Sequence, residues 1–105
     1  MPNYLLAYRG GSMPETPAAQ EAVMTQWTKW FQELGDAVVD GGNPISVSKM
    51  VASSGAVADV GATDALAGYS VIKADSLESA VKMAQGCPVR QAGGNIQVCE
   101  TFDAM

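Results

Sequence analysis

Two hydrophobic patterns divide the first third of the chain. Residues 3–9 are almost all apolar, a run that favours a buried β-strand. The hydrophobic residues that follow recur at i, i+4, i+7, i+8 and i+11, as on one face of an amphipathic helix. They are Val23, Trp27, Trp30, Phe31 and Leu34. Thr16 suits the N-cap of this helix, Pro17 its first position and Gly35 its end, so the pattern predicts a strand followed by a long helix.

A second helix is predicted between two strands, residues 68–74 and a last strand that begins near Ile96. Asp75 stands three residues before Glu78, which is the spacing of a capping box. Helical spacing then places four apolar residues on one face: Leu77, Ala80, Val81 and Ala84. Gly86 is expected to end the helix in a left-handed conformation.

The middle of the chain has a weaker pattern. Residues 37–40 look like a short strand, which the turn-forming residues 41–44 terminate. Residues 45–52 are predicted to form a third strand, with Val47 and Val51 facing inward. Residues 53–67 are small and rich in glycine and alanine, and we interpret them as a loop or a short hairpin.

The predicted elements run β-α-β-β-β-α-β, which contains the β-α-β-β-α-β order of the ferredoxin-like α+β plan, with two helices on one face of an antiparallel sheet. With 105 residues, the chain is interpreted as one domain, 1–105. The main strands are apolar on both sides, and two helices can cover one side only. The uncovered face is expected to hold Tyr4, Leu6, Tyr8, Tyr69 and Val71, more apolar surface than monomers usually expose. A two-fold homodimer that packs sheet against sheet would cover it, with a ligand in the cleft between the sheets.

Charge and missing residue types argue against several functions. Six basic and eleven acidic residues give a net charge of −5 without a basic cluster, so we expect no binding to nucleic acid or membranes. The absence of histidine argues against a catalytic triad or a zinc site, and no cofactor is predicted. The start of the sequence shows no leader or membrane-spanning run, so we expect a cytoplasmic protein. Cys87 and Cys99 lack CxxC spacing and are expected to be reduced thiols.

Several short segments resemble one known family in their order and spacing. They are residues 4–8, residues 40–44 with 48–49, and residues 68–69 with 74–80, 86–88 and 93–94. Together they resemble the YCII-related (YciI-like) family of the dimeric α+β barrel superfamily. The resemblance implies a ferredoxin-like subunit and a homodimer with a central barrel, and it implies little about activity.

The chain departs from that family at two places. Many relatives carry an Asp-Gly-Pro-Phe segment before the Gly-Tyr strand, whereas this chain reads Ala-Asp-Val-Gly-Ala over residues 58–62, so only Asp59 corresponds. Some relatives carry a His and Asp pair proposed as an acid/base dyad, which a chain without histidine cannot form. These departures argue against carrying the lyase-type chemistry suggested for relatives over to this chain.

Five residues are candidates for ligand contact: Tyr8, Asp40, Asn43, Lys49 and Tyr69. Tyr8 and Tyr69 would offer hydroxyls to the cleft from adjacent strands, or would pack at a dimer interface. Asp40 and Asn43 would present a carboxylate and backbone N–H groups at the cleft edge, or would only bond within their own turn. Lys49 would bind an anion or act as a base, or would be a solvated strand charge.

Other conspicuous residues are interpreted as structural. Trp27 and Phe31 are expected in the core, and Trp30 at the edge of the helix stripe, touching a loop or a partner. Cys87 follows a helix C-terminus, where the helix dipole disfavours a thiolate, and is expected to be unreactive.

Three functions are compatible with these residues. The favoured one is a small homodimer that binds an anionic or aromatic metabolite in the inter-sheet cleft. The second, by fold analogy, is a cofactor-free lyase or oxygenase-like enzyme for a small aromatic or cyclic substrate, with Asp40 or Lys49 as its base. The third is a protein-interaction partner in transcriptional regulation, since relatives are associated with alternative sigma factors.

Overall fold

Six strands and two helices make up the computed structural model over the residues that it describes, 1–11, 14–61 and 64–104. The strands are β1 (Asn3–Arg9), β2 (Val38–Asp40), β3 (Lys49–Val51), β4 (Val57–Asp59), β5 (Leu66–Lys73) and β6 (Asn95–Glu100). The helices are α1 (Pro17–Leu34) and α2 (Leu77–Gln85), and short 3-10 turns follow them at Gly35–Ala37 and Pro88–Arg90. The predicted α+β class is confirmed.

The strands form two separate antiparallel sheets. A four-stranded sheet has the order β2-β5-β1-β6, with β1 and β5 in the centre, and β3 pairs only with β4 in a two-stranded sheet. Two helices with an antiparallel sheet of this order are compatible with a ferredoxin-like fold.

Helix α1 begins and ends where the sequence predicts. The Thr16 hydroxyl accepts a hydrogen bond from the Ala19 N–H at 3.2 Å, and Pro17 occupies the first turn. Gly35 follows the last helical residue with a φ of +55°, and its N–H bonds the Phe31 carbonyl. Both ends agree because these signals are local to the sequence.

The ends of helix α2 differ from the prediction. Ser76, rather than Asp75, is the N-cap, and its hydroxyl accepts from the Ser79 N–H at 3.2 Å. Serine and aspartate are equally suitable N-cap residues, so Ser76 can cap the helix and Asp75 lies one residue before the cap. Gly86 has a φ of −87°, so the expected left-handed ending is wrong.

The core lies between the four-stranded sheet and the helices. Its most deeply buried side chains include Tyr4, Leu6 and Ile72, with Ala80 and Ala84 of α2 packed over them. The prediction that Tyr4, Leu6 and Tyr8 lie on the uncovered face is therefore wrong. Because successive strand residues alternate between faces, β1 could place either of its apolar sets under the helices.

The opposite face of the sheet carries the other set from the central strands. Leu5 pairs with Val71, and Ala7 pairs with Tyr69, directly across β1 and β5. Leu5, Tyr69 and Val71 are half-buried and lie outside the core cluster, while Ala7 between them is buried, so this side remains an apolar face as predicted for Tyr69 and Val71. We call these four residues the open face.

Two predictions about helical side chains are wrong. Trp30 is buried at the centre of the core, only 4% exposed, and its indole Nε1 donates to the Met83 carbonyl at 3.1 Å. On α2, Leu77 is 43% exposed and Val81 is also exposed, whereas Ala80 is buried. Small residues let α2 approach the sheet closely, which turns the larger pair outward.

The predicted third strand is shorter and lies elsewhere. Only Lys49–Val51 is extended, and it joins the small sheet with Val57–Asp59 instead of the main one. Val47 and Val51 are exposed, so their inward assignment is wrong. Residues 53–67, interpreted as a loop or a short hairpin, contain the β3–β4 turn, β4 and the start of β5, while residues 62 and 63 lie outside the described residues.

We predict that Gly42→Ala is far more destabilising than Gly55→Ala. Both glycines have a positive φ, +74° and +90°, so alanine strains the backbone at either site. A Cβ on Gly42 would also overlap the Tyr69 carbonyl, whereas one on Gly55 would meet open space. We expect Gly55→Ala to lower the free energy of unfolding by about 1 kcal/mol, and Gly42→Ala to lower it by at least about 2 kcal/mol more. Urea unfolding of both variants tests this, and equal costs would contradict the close approach.

Candidate functional site

A cavity of about 780 Å³ lies between α1 and the helix-facing side of the sheet. Gly10 and Gly11 after β1, the turn at 41–44 and the start of β5 form three of its borders. Pro88, Val89, Gln91 and Ala92 line the far end, where α1 packs against the 3-10 turn.

Aromatic side chains form the helical wall of the cavity. Trp27 is half-buried and lines the space, with its ring centroid 5.3 Å from that of Tyr8 in an edge-to-face arrangement at 71°. Phe31 also lines the cavity, 5.8 Å from Trp27. Trp30 backs Trp27 from the core at 5.7 Å. Rings fixed on several sides in this way present a preorganised aromatic surface.

A chain of hydroxyl groups lies at the cavity floor. The Tyr8 hydroxyl donates to Ser70 Oγ at 2.7 Å, and Ser70 in turn donates to the Gly41 carbonyl at 2.8 Å. Both protons are directed along this chain and away from the cavity. Because its own proton is donated to Ser70, the Tyr8 oxygen can only accept a hydrogen bond from a ligand.

Burial keeps the Tyr8 hydroxyl and the Cys87 thiol protonated. It raises the pKa of the Tyr8 hydroxyl well above its usual range and raises the pKa of the Cys87 thiol to about 11. Cys87 is deeply buried and belongs to the core. Neither group is a base or a nucleophile near neutral pH, in agreement with the expectation that Cys87 is unreactive.

Three of the five candidate residues border the cavity: Tyr8, Asn43 and Tyr69. Tyr8 and Tyr69 nevertheless belong to opposite faces of the sheet, since Tyr8 pairs with Gly68 and Tyr69 with Ala7. The two side chains thus reach the cavity border from different faces of the sheet, and the prediction that both hydroxyls contact one ligand stays a prediction. Asn43 joins the turn to β5, with its carbonyl accepting from the Tyr69 N–H at 3.4 Å.

The other two candidates lie away from the cavity lining. The Asp40 carboxylate accepts from the Gly42 N–H at 2.8 Å, as expected for the turn-forming role. Lys49 pairs with Asp59 across the β3–β4 hairpin, where both are exposed. The structure thus gives each of these charges a local partner.

The described residues that line the cavity are all uncharged at neutral pH. Their polar groups are hydroxyls, the side-chain amides of Gln26, Asn43 and Gln91, and backbone groups of the glycine turns. Most of the remaining surface is aromatic or aliphatic. A ligand that is neutral and mainly apolar, with one or two hydrogen-bonding groups, matches this lining, because an unpaired buried charge is costly.

Several residues that line the cavity carry little signal in the sequence. Ser70 lies within a strand, and Gln26 and Gln91 carry no motif. One signal was available for Ser70, since a small polar residue within an otherwise apolar buried strand needs a hydrogen-bond partner. Recognising that the partner is Tyr8 requires the strand register.

Comparison with known proteins does not assign this chain to a family. The chain matches no protein-family model and no curated protein. Over the described ranges, no three acidic, cysteine or histidine side chains gather as metal ligands would. Within the same residues, neither helix has both the length and the apolar character needed to cross a membrane.

We predict that Ser70→Ala destabilises the protein more than Tyr8→Phe. Ser70→Ala removes both hydrogen bonds of the hydroxyl chain and leaves the buried Tyr8 hydroxyl without an acceptor. Tyr8→Phe removes one hydrogen bond, and Ser70 still donates to the Gly41 carbonyl. We expect Ser70→Ala to lower the free energy of unfolding by about 2 kcal/mol and Tyr8→Phe to lower it by about 1 kcal/mol. Urea unfolding measures both, and the double variant should cost little more than Ser70→Ala alone. Additive costs would show that the hydroxyls act independently.

Alkaline pH should weaken the fold through Cys87. Its pKa is raised from 9.0 to about 11 by folding, so its stabilisation is complete below pH 9.0 and is lost as the pH rises through the folded value. Between about pH 8 and about pH 11, the unfolding free energy should fall on the order of 1–2 kcal/mol more in the parent than in Cys87→Ala. Cys99→Ala is the control and should keep the parent's slope. Equal slopes for the parent and Cys87→Ala would contradict a buried, protonated thiol.

Proposed function

We propose that this protein is a YCII-like homodimer with a ferredoxin-like subunit, and that each subunit binds a small neutral aromatic molecule in the cavity between α1 and the sheet. The observation that supports the binding proposal is the cavity itself: about 780 Å³, walled by Trp27 and Phe31, with an uncharged described lining. This volume lies within the range of roughly 300–1,000 Å³ that small-molecule sites occupy.

The lining also indicates how such a ligand would be oriented. The aromatic wall suits a flat ring stacked or edge-on against Trp27. The Tyr8 oxygen, whose own proton is bound to Ser70, suits a ligand N–H or O–H group. We therefore favour a planar ring that carries a neutral hydrogen-bond donor.

This site differs from the cleft between two sheets that the sequence suggests. The cavity lies on the helical side of the sheet and needs no second subunit to form. The inter-sheet cleft stays a prediction. The described cavity lining contains no carboxylate or ammonium group to serve as a base, so we assign binding to it rather than the lyase-like or oxygenase-like alternative.

Surface area supports the homodimer. The chain exposes 7258 Å², whereas a compact monomer of 10.9 kDa exposes about 5,600 Å². Two copies that covered this excess would bury roughly 3,400 Å² in total, which lies in the range of obligate homodimers. The open face offers the apolar surface that such an interface needs.

The two cysteines support the expected cytoplasmic location. Cys87 and Cys99 are both free thiols. Unpaired cysteines are typical of reducing compartments.

We predict that 1-naphthamide binds more tightly than 1-naphthoate, which has nearly the same shape but carries a negative charge. Transfer of the carboxylate into the uncharged lining should weaken its affinity at least about tenfold. Isothermal titration calorimetry measures both, and Trp27 fluorescence should change on binding. Ala92→Phe, which places a ring in the cavity, should lower naphthamide affinity at least about tenfold. Ala22→Phe on the exposed side of α1 is the matched control and should leave it unchanged.

Equal affinities for both compounds, or equal effects of both phenylalanine substitutions, would contradict binding in this cavity. Native mass spectrometry of the purified protein provides an independent test. A dimer that retains a neutral aromatic compound would support the proposal. A retained anionic compound would contradict the proposed ligand class.

A further inference from the structure

The β3–β4 hairpin extends from the body of the subunit. We call residues 46–60 the arm. All six residues of its two strands are exposed, and among the described elements these strands make extensive contacts only with each other. Its base joins the main sheet through the Ile45 N–H, which donates to the Ala67 carbonyl at 2.8 Å, and through a bridge between Pro44 and Gly68.

The exposed side chains of the arm are mostly apolar. Val47, Met50, Val51 and Val57 are between 56% and 78% exposed, and Val51 lies directly opposite Val57. The arm contains one lysine and one aspartate, Lys49 and Asp59, and these form an ion pair with each other. The arm therefore has no net charge, although the whole chain carries −5.

A hairpin of this kind needs a surface to pack on. Two isolated strands are at best marginally stable in water, and a third strand or a packed face is usually required. Exposed neutral β-structure rich in valine also promotes aggregation if it is left uncovered. Its own subunit supplies no cover, since the described elements leave both strands exposed.

We propose that the arm packs against a second copy of this chain, with Val51 and Val57 in the interface. This inference rests on the proposed homodimer and specifies which segment holds it together. The radius of gyration is 15.1 Å, compared with about 13 Å for a compact domain of this length. The expanded shape and the excess surface are what a subunit with an exchanged arm presents when it is viewed alone.

The distribution of charge favours a second copy of this chain as the partner of the arm, with contact between the arm and the open face. Two chains of −5 repel each other wherever their acidic surfaces meet. The arm is neutral, and the side of β1 and β5 that bears the open face carries Arg9 and Lys73, with Asp40 of the neighbouring strand β2 as the carboxylate paired with Val71. Contact between an arm and the partner's open face would thus join two apolar surfaces without this repulsion.

The test compares two sets of valine-to-threonine changes by sedimentation equilibrium. Threonine keeps the shape and strand preference of valine but removes apolar surface. We expect V51T/V57T to raise the dimer dissociation constant at least about tenfold. V81T is the control, because Val81 is exposed on α2 outside both the arm and the open face, and it should leave the constant unchanged.

Hydrogen exchange of the unmodified protein provides the second measurement. The Ala52 and Gly55 amides at the arm tip bond within the arm, to the Ala56 and Ala52 carbonyls, both at 2.8 Å. If the arm packs on a partner, these amides should exchange slowly above the dimer dissociation constant and rapidly below it. This readout remains decisive even if the double variant fails to fold.

The outcomes separate the two proposals. A dimer whose dissociation constant is unchanged in V51T/V57T, and whose arm amides exchange rapidly at every concentration, would overturn the arm contact and leave the homodimer standing. A monomer at every concentration would overturn both. Weakened dimerisation in V51T/V57T alone, with concentration-dependent protection, would support the arm.

Discussion

The antiparallel register between β1 and β5 is the constraint on which the rest of this structure depends. Both strands are apolar on both sides, so their composition alone does not decide which side faces the helices. The register pairs Tyr8 with Gly68 and Ala7 with Tyr69. A shift by one residue would exchange the two faces completely. Where the cavity, the core and the open face lie follows from this single alignment.

Gly68 shows how the alignment creates the site. A Cβ at this position would lie 3.1 Å from the Asn43 carbonyl oxygen and 3.5 Å from the Tyr8 ring, so the absence of a side chain lets both approach β5. Tyr8 can then reach Ser70 two residues further along the strand. The turn at Asn43 consequently borders the same cavity as the tyrosine. A small residue in the sheet thus joins a turn, a ring and a hydroxyl chain.

Local signals in the sequence predicted the parts of the fold that depend on neighbouring residues. The bounds of α1 followed from Thr16 and Gly35, because a cap bonds residues only three or four positions away. The faces of β1 did not follow, since they depend on a partner strand some sixty residues distant. The burial of Trp30 depends in the same way on Met83. The predicted elements were therefore more accurate than the predicted surroundings of their side chains.

Part of the candidate site was predicted from the sequence, and the rest was missed because it also depends on contacts between distant elements. Tyr8 and Asn43 border the cavity, but the helical wall was interpreted as core, because an amphipathic stripe does not reveal how closely its helix approaches the sheet. Trp27 and Trp30 share that stripe and differ in burial, since only Trp30 extends toward α2. Their different surroundings arise from packing between elements, which no spacing along one helix can specify.

The two sides of the sheet support different proposed roles. On the helical side, Tyr8 and Trp27 lie at a preformed cavity whose buried hydroxyls, those of Tyr8 and Ser70, already have partners, a condition that favours selective binding at low cost in reorganisation. On the other side, Leu5 and Val71 form an apolar surface that suits a flat protein contact. The two surfaces share the backbone of β1 and β5, and Tyr69 of the open face also borders the cavity. Because a rigid central sheet separates them, subunit contact can order the strands from one side without occupying the ligand cavity on the other.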